Sequence, residues 1–193
     1  MSCKSALLSS AAAMAVLTAV AAPAAASTYA VDPTHTYVTF EAVHFGTSTN
    51  RGRFDKKEGT VQFDPKAKTG KVDITIDMNS ISTGFDTFNG HLKGDNFFKA
   101  ATFPTAKFSA DKFIFAGDKV SEVAGQLTLL GKTQPVTLKA SNFGCYENPM
   151  LKREVCGGDF ATTIKRSEFG MNYGVPMLPD DIRLVIQVEA IKQ

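Results

Sequence analysis

Apolar and polar residues alternate along much of the chain, which is the pattern of β-strands with one buried face and one wet face. The clearest case runs from Val72 to Met78, where every second residue is apolar and Asp73, Thr75 and Asp77 lie between. The same period of two recurs along the sequence in residues 38–42, 61–63, 72–78, 106–110, 113–115, 120–130, 136–140, 160–164 and 182–190. The stretch Leu130-Gly131-Lys132-Thr133 predicts a tight hairpin between two of these segments.

One segment departs from this alternation. Between Thr83 and Phe98, the residues Phe85, Phe88 and Leu92 fall on one helical face, although glycines within the segment disfavour a long helix. The sequence therefore predicts an all-β fold, a sandwich or an antiparallel barrel of about eight short strands with a short helical insertion. A barrel of about eight strands has room for one ligand or for a core of side chains.

The first 26 residues follow a different pattern. Lys4 precedes an apolar run from Ala6 to Val20, and small residues end the stretch at Ala26. This is the layout of a secretory signal peptide cut between Ala26 and Ser27, and the run is too short for a comfortable membrane span. We therefore expect an exported protein with one domain over residues 27–193 and no stable membrane span after processing.

Cysteine content and charge bear on the compartment of the protein and on the classes of partner that it could bind. Cys145 and Cys156 are the two cysteines beyond the signal, and an even pair in an oxidising compartment predicts a disulfide, here one that ties a loop at one barrel end. The chain has 21 Lys and Arg against 19 Asp and Glu, without a block of like charge. This balance argues against nucleic acid or an anionic membrane surface as the main partner.

Candidate catalytic groups are sparse. His35, His44 and His91 form no short ligand pair, so we expect neither a metal site nor a cofactor. No Gly-x-Ser-x-Gly turn is present and both thiols are expected to be paired. His44 continues the inward series that begins at Val38, which would bring it into a barrel near its mouth. The sequence favours a binding protein over an enzyme, and the alternative is a lipid hydrolase or isomerase with His44 or His91 as the base.

Phenylalanine is abundant, with 15 Phe and no Trp in the chain. For any single Phe, packing in the core is the simpler interpretation. Together, rigid rings without polar atoms also suit the lining of an apolar tunnel.

The chain resembles the YceI-like family of periplasmic polyisoprenoid-binding proteins over essentially all of residues 27–193. The resemblance is carried, in order, by Asp32-Pro33-Thr34-His35, His44-Phe45-Gly46, Gly52-Arg53-Phe54 with Gly59, Ser80-Ile81-Ser82-Thr83, residues 91–98 (HLKGDNFF), Phe103-Pro104 with Phe108, residues 125–133 (GQLTLLGKT) with Pro135-Val136, and Arg166-Ser167-Glu168-Phe169-Gly170. Thr36 stands where the family pattern often has Ser, a conservative change. The resemblance implies an extended lipocalin-like barrel whose apolar channel holds an isoprenoid tail, such as that of a quinone or polyprenyl compound.

The strand pattern and the resemblance together indicate candidate ligand contacts. The expected channel lining comprises Val38, Phe40, Phe63, Ile74, Ile76, Phe108, Leu127, Leu129 and Ile186. The expected gates are Phe85, Phe88, Phe97, Phe98 and Phe169. The expected head-group contacts near an opening are His44, His91, Asp95 and Arg166. An envelope interaction module with a solid core is a further alternative, and Val185 and Ile191 on the outer face of the last strand leave a homodimer open.

Overall fold

The computed structural model describes residues 26–193, in which nearly all regular structure is β-strand. The strands are β1 (Ser27–Val31), β2 (Tyr37–His44), β3 (Ser48–Phe54), β4 (Lys57–Asp64), β5 (Thr69–Asp77), β6 (Ile81–Ser82), β7 (Thr105–Ala116), β8 (Lys119–Leu129), β9 (Lys132–Asn148), β10 (Arg153–Lys165) and β11 (Asp181–Lys192). Within residues 26–193 there is one α-helix, α1 (Asp86–Lys93), which lies between β6 and β7. The predicted signal peptide, apart from Ala26, lies outside the described residues.

The strands form one antiparallel sheet that closes on itself. The order around the barrel is β1-β4-β5-β7-β8-β9-β10-β11, and pairing of β1 with β11 closes the ring of eight strands. One edge of β11 is shared, because its last residues pair with β1 and residues 183–187 pair with β2. Since β3 then pairs with β2 and β6 with β3, the wall extends beyond the closed ring on this side. The predicted fold, an extended eight-stranded antiparallel barrel with a short helix, is confirmed.

Strand direction defines two ends of the barrel. The α1 end carries the turn at residues 45–47, the segment at residues 83–104 that includes α1, and the segment at residues 166–180. The hairpin end carries the turns at residues 65–68 and 117–118 and the tip of the β9–β10 hairpin at residues 149–152. Long connections therefore cover one end, and short turns form most of the other.

The β8–β9 hairpin explains how the sequence fixes register at the α1 end. Leu130 and Gly131 have φ angles of 51° and 73°, which is the left-handed pair that a two-residue hairpin turn requires. Leu129 pairs with Lys132 directly across the turn, so the tight hairpin predicted at Leu130–Thr133 is present with Leu130 and Gly131 as its two turn residues. This register places Leu127 and Leu129 on the inner face.

Three local predictions differ from the structure. The helix spans eight residues rather than the whole of residues 83–98, because Gly94 leaves the helical conformation with a ψ of 179°. Residues 106–110 and 113–115 belong to one strand, β7, because a register shift between Ala110 and Lys112 breaks the alternation without ending the pairing. Because this bulge interrupts the period of two, the sequence pattern predicted two strands where the structure has one.

The cysteine segment is the third difference. Cys145 and Cys156 form the predicted disulfide, with a Cα–Cα distance of 4.1 Å. The segment between them is not a tied loop, because Cys145 and Cys156 are directly paired residues of β9 and β10 and the ladder continues to Asn148 and Arg153. On β9, residues 144–147 are all exposed and show no apolar alternation, so the sequence lacked the usual strand signal there.

Candidate functional site

The interior of the barrel holds two apolar cavities that lie one behind the other. The outer chamber, nearer the α1 end, has a volume of about 260 Å³. The inner chamber, nearer the hairpin end, has a volume of about 100 Å³. The Val38 side chain lines both cavities, so it lies at the boundary between them.

Strand geometry produces this arrangement. Successive inward side chains of one strand lie about 7 Å apart along it, because the residue between them points outward. On β5, Ile76 lines the outer chamber and Ile74 the inner chamber. On β11, Leu184 and Ile186 are divided in the same way. The alternation that predicted the strands therefore also lines one continuous axis with apolar groups.

Most of the candidate residues lie along these chambers. Those that line the outer chamber are Val38, Phe40, His44, Ile76, Phe88, His91, Phe97, Phe98, Leu127, Leu129 and Arg166. Those that line the inner chamber are Val38, Phe63, Ile74, Phe108 and Ile186. Strands far apart in sequence are thus brought to a common interior.

Three candidates lie elsewhere. Phe85 precedes α1 and is 65% exposed, on the outside of the barrel. Asp95 is exposed after the end of α1. Phe169 is only 1% exposed and packs in the core without lining either chamber. The helical periodicity that grouped Phe85 with Phe88 misled, because Phe85 is the residue before the helix and has extended backbone angles.

Polar side chains gather where the outer chamber meets solvent. His44, Asn50, His91 and Tyr173 line this opening, whereas the deeper lining is almost wholly apolar. The His91 and Phe97 ring centroids are 5.0 Å apart, and those of Phe97 and Tyr173 are 5.5 Å apart. These edge-on contacts connect the α1 segment to the segment at residues 166–180 across the chamber entrance. A long apolar molecule with a polar end would match this distribution of polarity.

Arg166 is the charged exception in the chamber wall. It is 4% exposed and donates through Nε to the Pro179 carbonyl at 2.8 Å and through Nη1 to the Met171 carbonyl at 2.9 Å. Nη2 lies 3.4 Å from the Leu178 carbonyl. Burial lowers the pKa of Arg166 and the nearby Asp180 carboxylate opposes this shift, but a guanidinium stays charged. The side chain therefore fixes the loop that closes one side of the outer chamber.

The inner chamber has two polar side chains in its wall, and both are satisfied within the protein. The Tyr29 hydroxyl donates to Glu154 Oε1 at 2.5 Å, and burial together with this carboxylate raises the pKa of Tyr29 far above its ordinary value. Thr36 Oγ1 donates to the Glu189 carbonyl at 3.1 Å and accepts from the Glu189 amide at 3.2 Å. The surface facing the cavity is consequently apolar.

Many lining residues were not identified from the sequence. Those of the outer chamber include Ala42, Val43, Asn50, Phe54, Met78, Leu92, Ala106, Ile164, Met171, Tyr173, Leu178, Pro179, Ile182 and Leu184. Those of the inner chamber include Tyr29, Thr36, Val61, Val72, Phe113, Val123, Leu138, Phe143, Phe160 and Val188. Most of the strand members share a face with residues that were identified, so alternation alone could have found them. The loop members 171–179 carry no periodic signal.

Neither a metal cluster nor a spanning helix is found in residues 26–193. No group of three His, Cys, Asp or Glu side chains in this range could hold a metal ion. No helix in this range is long and apolar enough to cross a membrane. His35 lies on the turn between β1 and β2, where Nδ1 is 2.8 Å from Asp32 and this hydrogen bond raises the pKa of the imidazole.

Comparison with known proteins identifies the family to which this barrel is similar. The family model described as a YceI-like domain matches residues 29–190. The UPF0312 protein of Pseudomonas aeruginosa is 32% identical over 176 residues, which cover 90% of this chain and 91% of that protein. The crystal structure of the Campylobacter jejuni YCEI protein is 30% identical with a TM-score of 0.70, and the match covers 78% of this chain and 89% of that one.

A more distant structure shares the fold. It is a polyisoprenoid binding domain from Saccharophagus degradans, with 16% identity and a TM-score of 0.62, and the match covers 86% of this chain and 98% of that one. The family model and the Pseudomonas relative each extend over most of the chain, and the barrel accounts for the likeness in three dimensions. The chain therefore belongs to the YceI-like family.

Proposed function

We propose that the protein binds a long isoprenoid-type lipid, such as a polyprenyl compound or a quinone, with its tail along the barrel axis. The observation that carries this proposal is the pair of apolar chambers lying end to end behind a polar opening. The structural likeness to a domain described as polyisoprenoid binding supports the same ligand class. The alternative of an interaction module predicts a solid core, and the two cavities in the barrel argue against it.

The energetics of such a complex need few polar contacts. Burying about ten isoprenoid carbons contributes on the order of 8 kcal/mol at about 0.8 kcal/mol per carbon, which corresponds to micromolar affinity before ordering costs. Head-group contacts from His44 or His91 at the opening would then add selectivity. The Arg166 guanidinium already binds three loop carbonyls, so its main contribution is to shape the chamber.

The cellular setting follows from two further features. The predicted signal peptide and the Cys145–Cys156 disulfide support an oxidising compartment, and we infer that residues 27–193 form one periplasmic domain. In that setting a barrel that shields a lipid from water would serve transport, storage or protection. At the opening, the His44 and His91 rings contact neighbouring aromatic rings. We propose that the protein acts as a carrier rather than as an enzyme.

The test is to fill the outer chamber. Leu184→Trp places a large ring in the cavity, whereas Val185→Trp changes the next residue of β11, whose side chain points outward. We expect wild type and Val185→Trp to yield an extractable apolar molecule by mass spectrometry, or to take up added polyprenyl quinone, and Leu184→Trp to lose at least about tenfold in affinity. Wild-type protein that carries no such molecule and binds none would contradict the proposal.

A further inference from the structure

We propose that the α1 end docks onto a lipid bilayer through an apolar rim, which comprises Val43, Phe45, Phe85, Met177 and the aromatic ring of Tyr173, whose hydroxyl is its polar end. The rim would let a lipid pass between the membrane and the outer chamber without crossing water. The exposed side chains are observed, whereas the choice of a bilayer as their partner rests on the proposed function, because they lie beside the chamber that a membrane lipid would enter.

Exposed apolar side chains are concentrated at two places in the part of the chain that the structure describes. The rim residues have exposed fractions between 48% and 74%. The remaining large exposed hydrophobic residues, Tyr146, Met150 and Leu151, lie at the hairpin end. Several large exposed apolar groups at one end of a protein are unfavourable in water and indicate a contact surface.

The rim lies on segments that also line the outer chamber at the α1 end. Its members come from three separate segments: the end of β2 with the β2–β3 turn, the residue before α1, and the loop at residues 171–180. Each segment also contributes to the chamber lining, through Val43 itself, through Phe88 and through Leu178. A surface that docks through the rim would therefore face the chamber entrance directly.

Two of the rim positions carry an apolar residue against local folding preference. Phe45 has a φ of 48° in an exposed turn, a backbone conformation in which Gly or Asn is favoured over a bulky residue. Phe85 occupies the N-cap of α1 without a side-chain cap, where Ser, Thr, Asp or Asn would stabilise the helix. Phe45 packs edge-on against His44, with ring centroids 4.6 Å apart, but neither the turn nor the helix cap requires an aromatic ring. We therefore attribute the exposed rings to contact with a partner surface.

The arginines on the strands beside Val43 and Phe45 are paired, which favours apolar insertion over attraction to an anionic lipid surface. On the adjoining strands, Glu41 receives hydrogen bonds from Arg51 and from Arg183, both at 2.7 Å. These arginines are thus engaged with a carboxylate. Side chains that project from three separate loops can insert between lipid head groups, as amphipathic surface elements do. Binding should therefore be retained on uncharged lipid and at high salt.

The experiment measures partition of the purified protein onto phosphatidylcholine vesicles by flotation. We expect Phe45→Asn and Phe85→Ser each to lower the partition coefficient by about tenfold, and the double variant by about a hundredfold. Both substitutions suit the local backbone, so thermal unfolding should show undiminished stability. The matched control is Met150→Ser with Leu151→Ser, which removes exposed apolar groups at the hairpin end and should leave partition unchanged.

Three results would overturn the proposal: no vesicle binding by wild type, equal losses in the rim and hairpin variants, or binding that disappears as salt is raised. A concentration-dependent dimer that the rim variants abolish, without vesicle binding, would assign the rim to a second copy instead. Lipid uptake from detergent micelles is measured in parallel. Retained uptake with lost vesicle binding separates docking from the chamber, and vesicle binding without any lipid uptake would sink only the proposed function.

Discussion

At the scale of the residue, Arg166 joins the chamber to the loop beside it. Its guanidinium is nearly inaccessible and binds carbonyls of Met171, Leu178 and Pro179. The Asp180 carboxylate next in sequence accepts hydrogen bonds from the Ser167 amide and hydroxyl at 2.9 Å and 2.8 Å. The Arg166 side chain thus holds the backbone of the loop at residues 171–179, and the Asp180 side chain holds the backbone at Ser167. The two charged groups act on backbone atoms rather than as a direct ion pair.

Replacement of Arg166 by Met should therefore unfold the loop before the barrel. The variant keeps the apolar stem but leaves buried carbonyls without donors, for which we expect a loss of about 3 kcal/mol in the free energy of unfolding in urea. Arg183→Met is the matched control, because its ion pair with Glu41 is exposed and should contribute less than about 1 kcal/mol. Equal losses in both variants would contradict the role assigned to Arg166.

At the scale of the element, alternation predicted most strands and much of the lining because burial on one face imposes a period of two. Ile74, Ile76 and Ile186 were placed inside the barrel from sequence for this reason, and the structure puts them there. The loop at residues 171–179 could not be placed, since its position depends on the distant hydrogen bonds of Arg166. The β9 residues around Cys145 were mistaken for a loop, since residues 144–147 are all exposed and show no apolar period.

The position of the disulfide in the sheet leads to a prediction about its contribution to stability. Cys145 and Cys156 are separated by 11 positions and staple β9 to β10. Replacing both by Ser should reduce the free energy of unfolding by about 3 kcal/mol in the chain-entropy model. Hydrogen exchange should quicken first at the hairpin end, while amides of β8 and β9 near Leu129 and Lys132 stay protected. Uniformly faster exchange along the barrel would show that the staple stabilises the whole sheet instead.

At the scale of the whole molecule, the barrel is a tube whose α1 end is covered by long connections and whose interior holds the outer and inner chambers in succession. The polar opening and apolar rim lie at the α1 end, the outer chamber follows, and the smaller inner chamber comes last. On the proposed function, a short tail would fit in the outer chamber alone. A longer tail would have to pass the boundary at Val38, so the inner chamber would favour longer chains.

Val38→Phe tests this division of the tube. The added ring lies at the boundary of both chambers, so we expect affinity for a long polyprenyl chain to fall by about tenfold, with little change for a short chain that ends in the outer chamber. Thr39→Phe is the matched control, because Thr39 is the next residue of β2 and pairs with Val185 on the outward face. Binding is measured by fluorescence titration with both chain lengths for each variant. An equal loss for the short and the long chain would mean that the ring distorts the outer chamber, whereas no loss for either would mean that the tail does not reach the inner chamber.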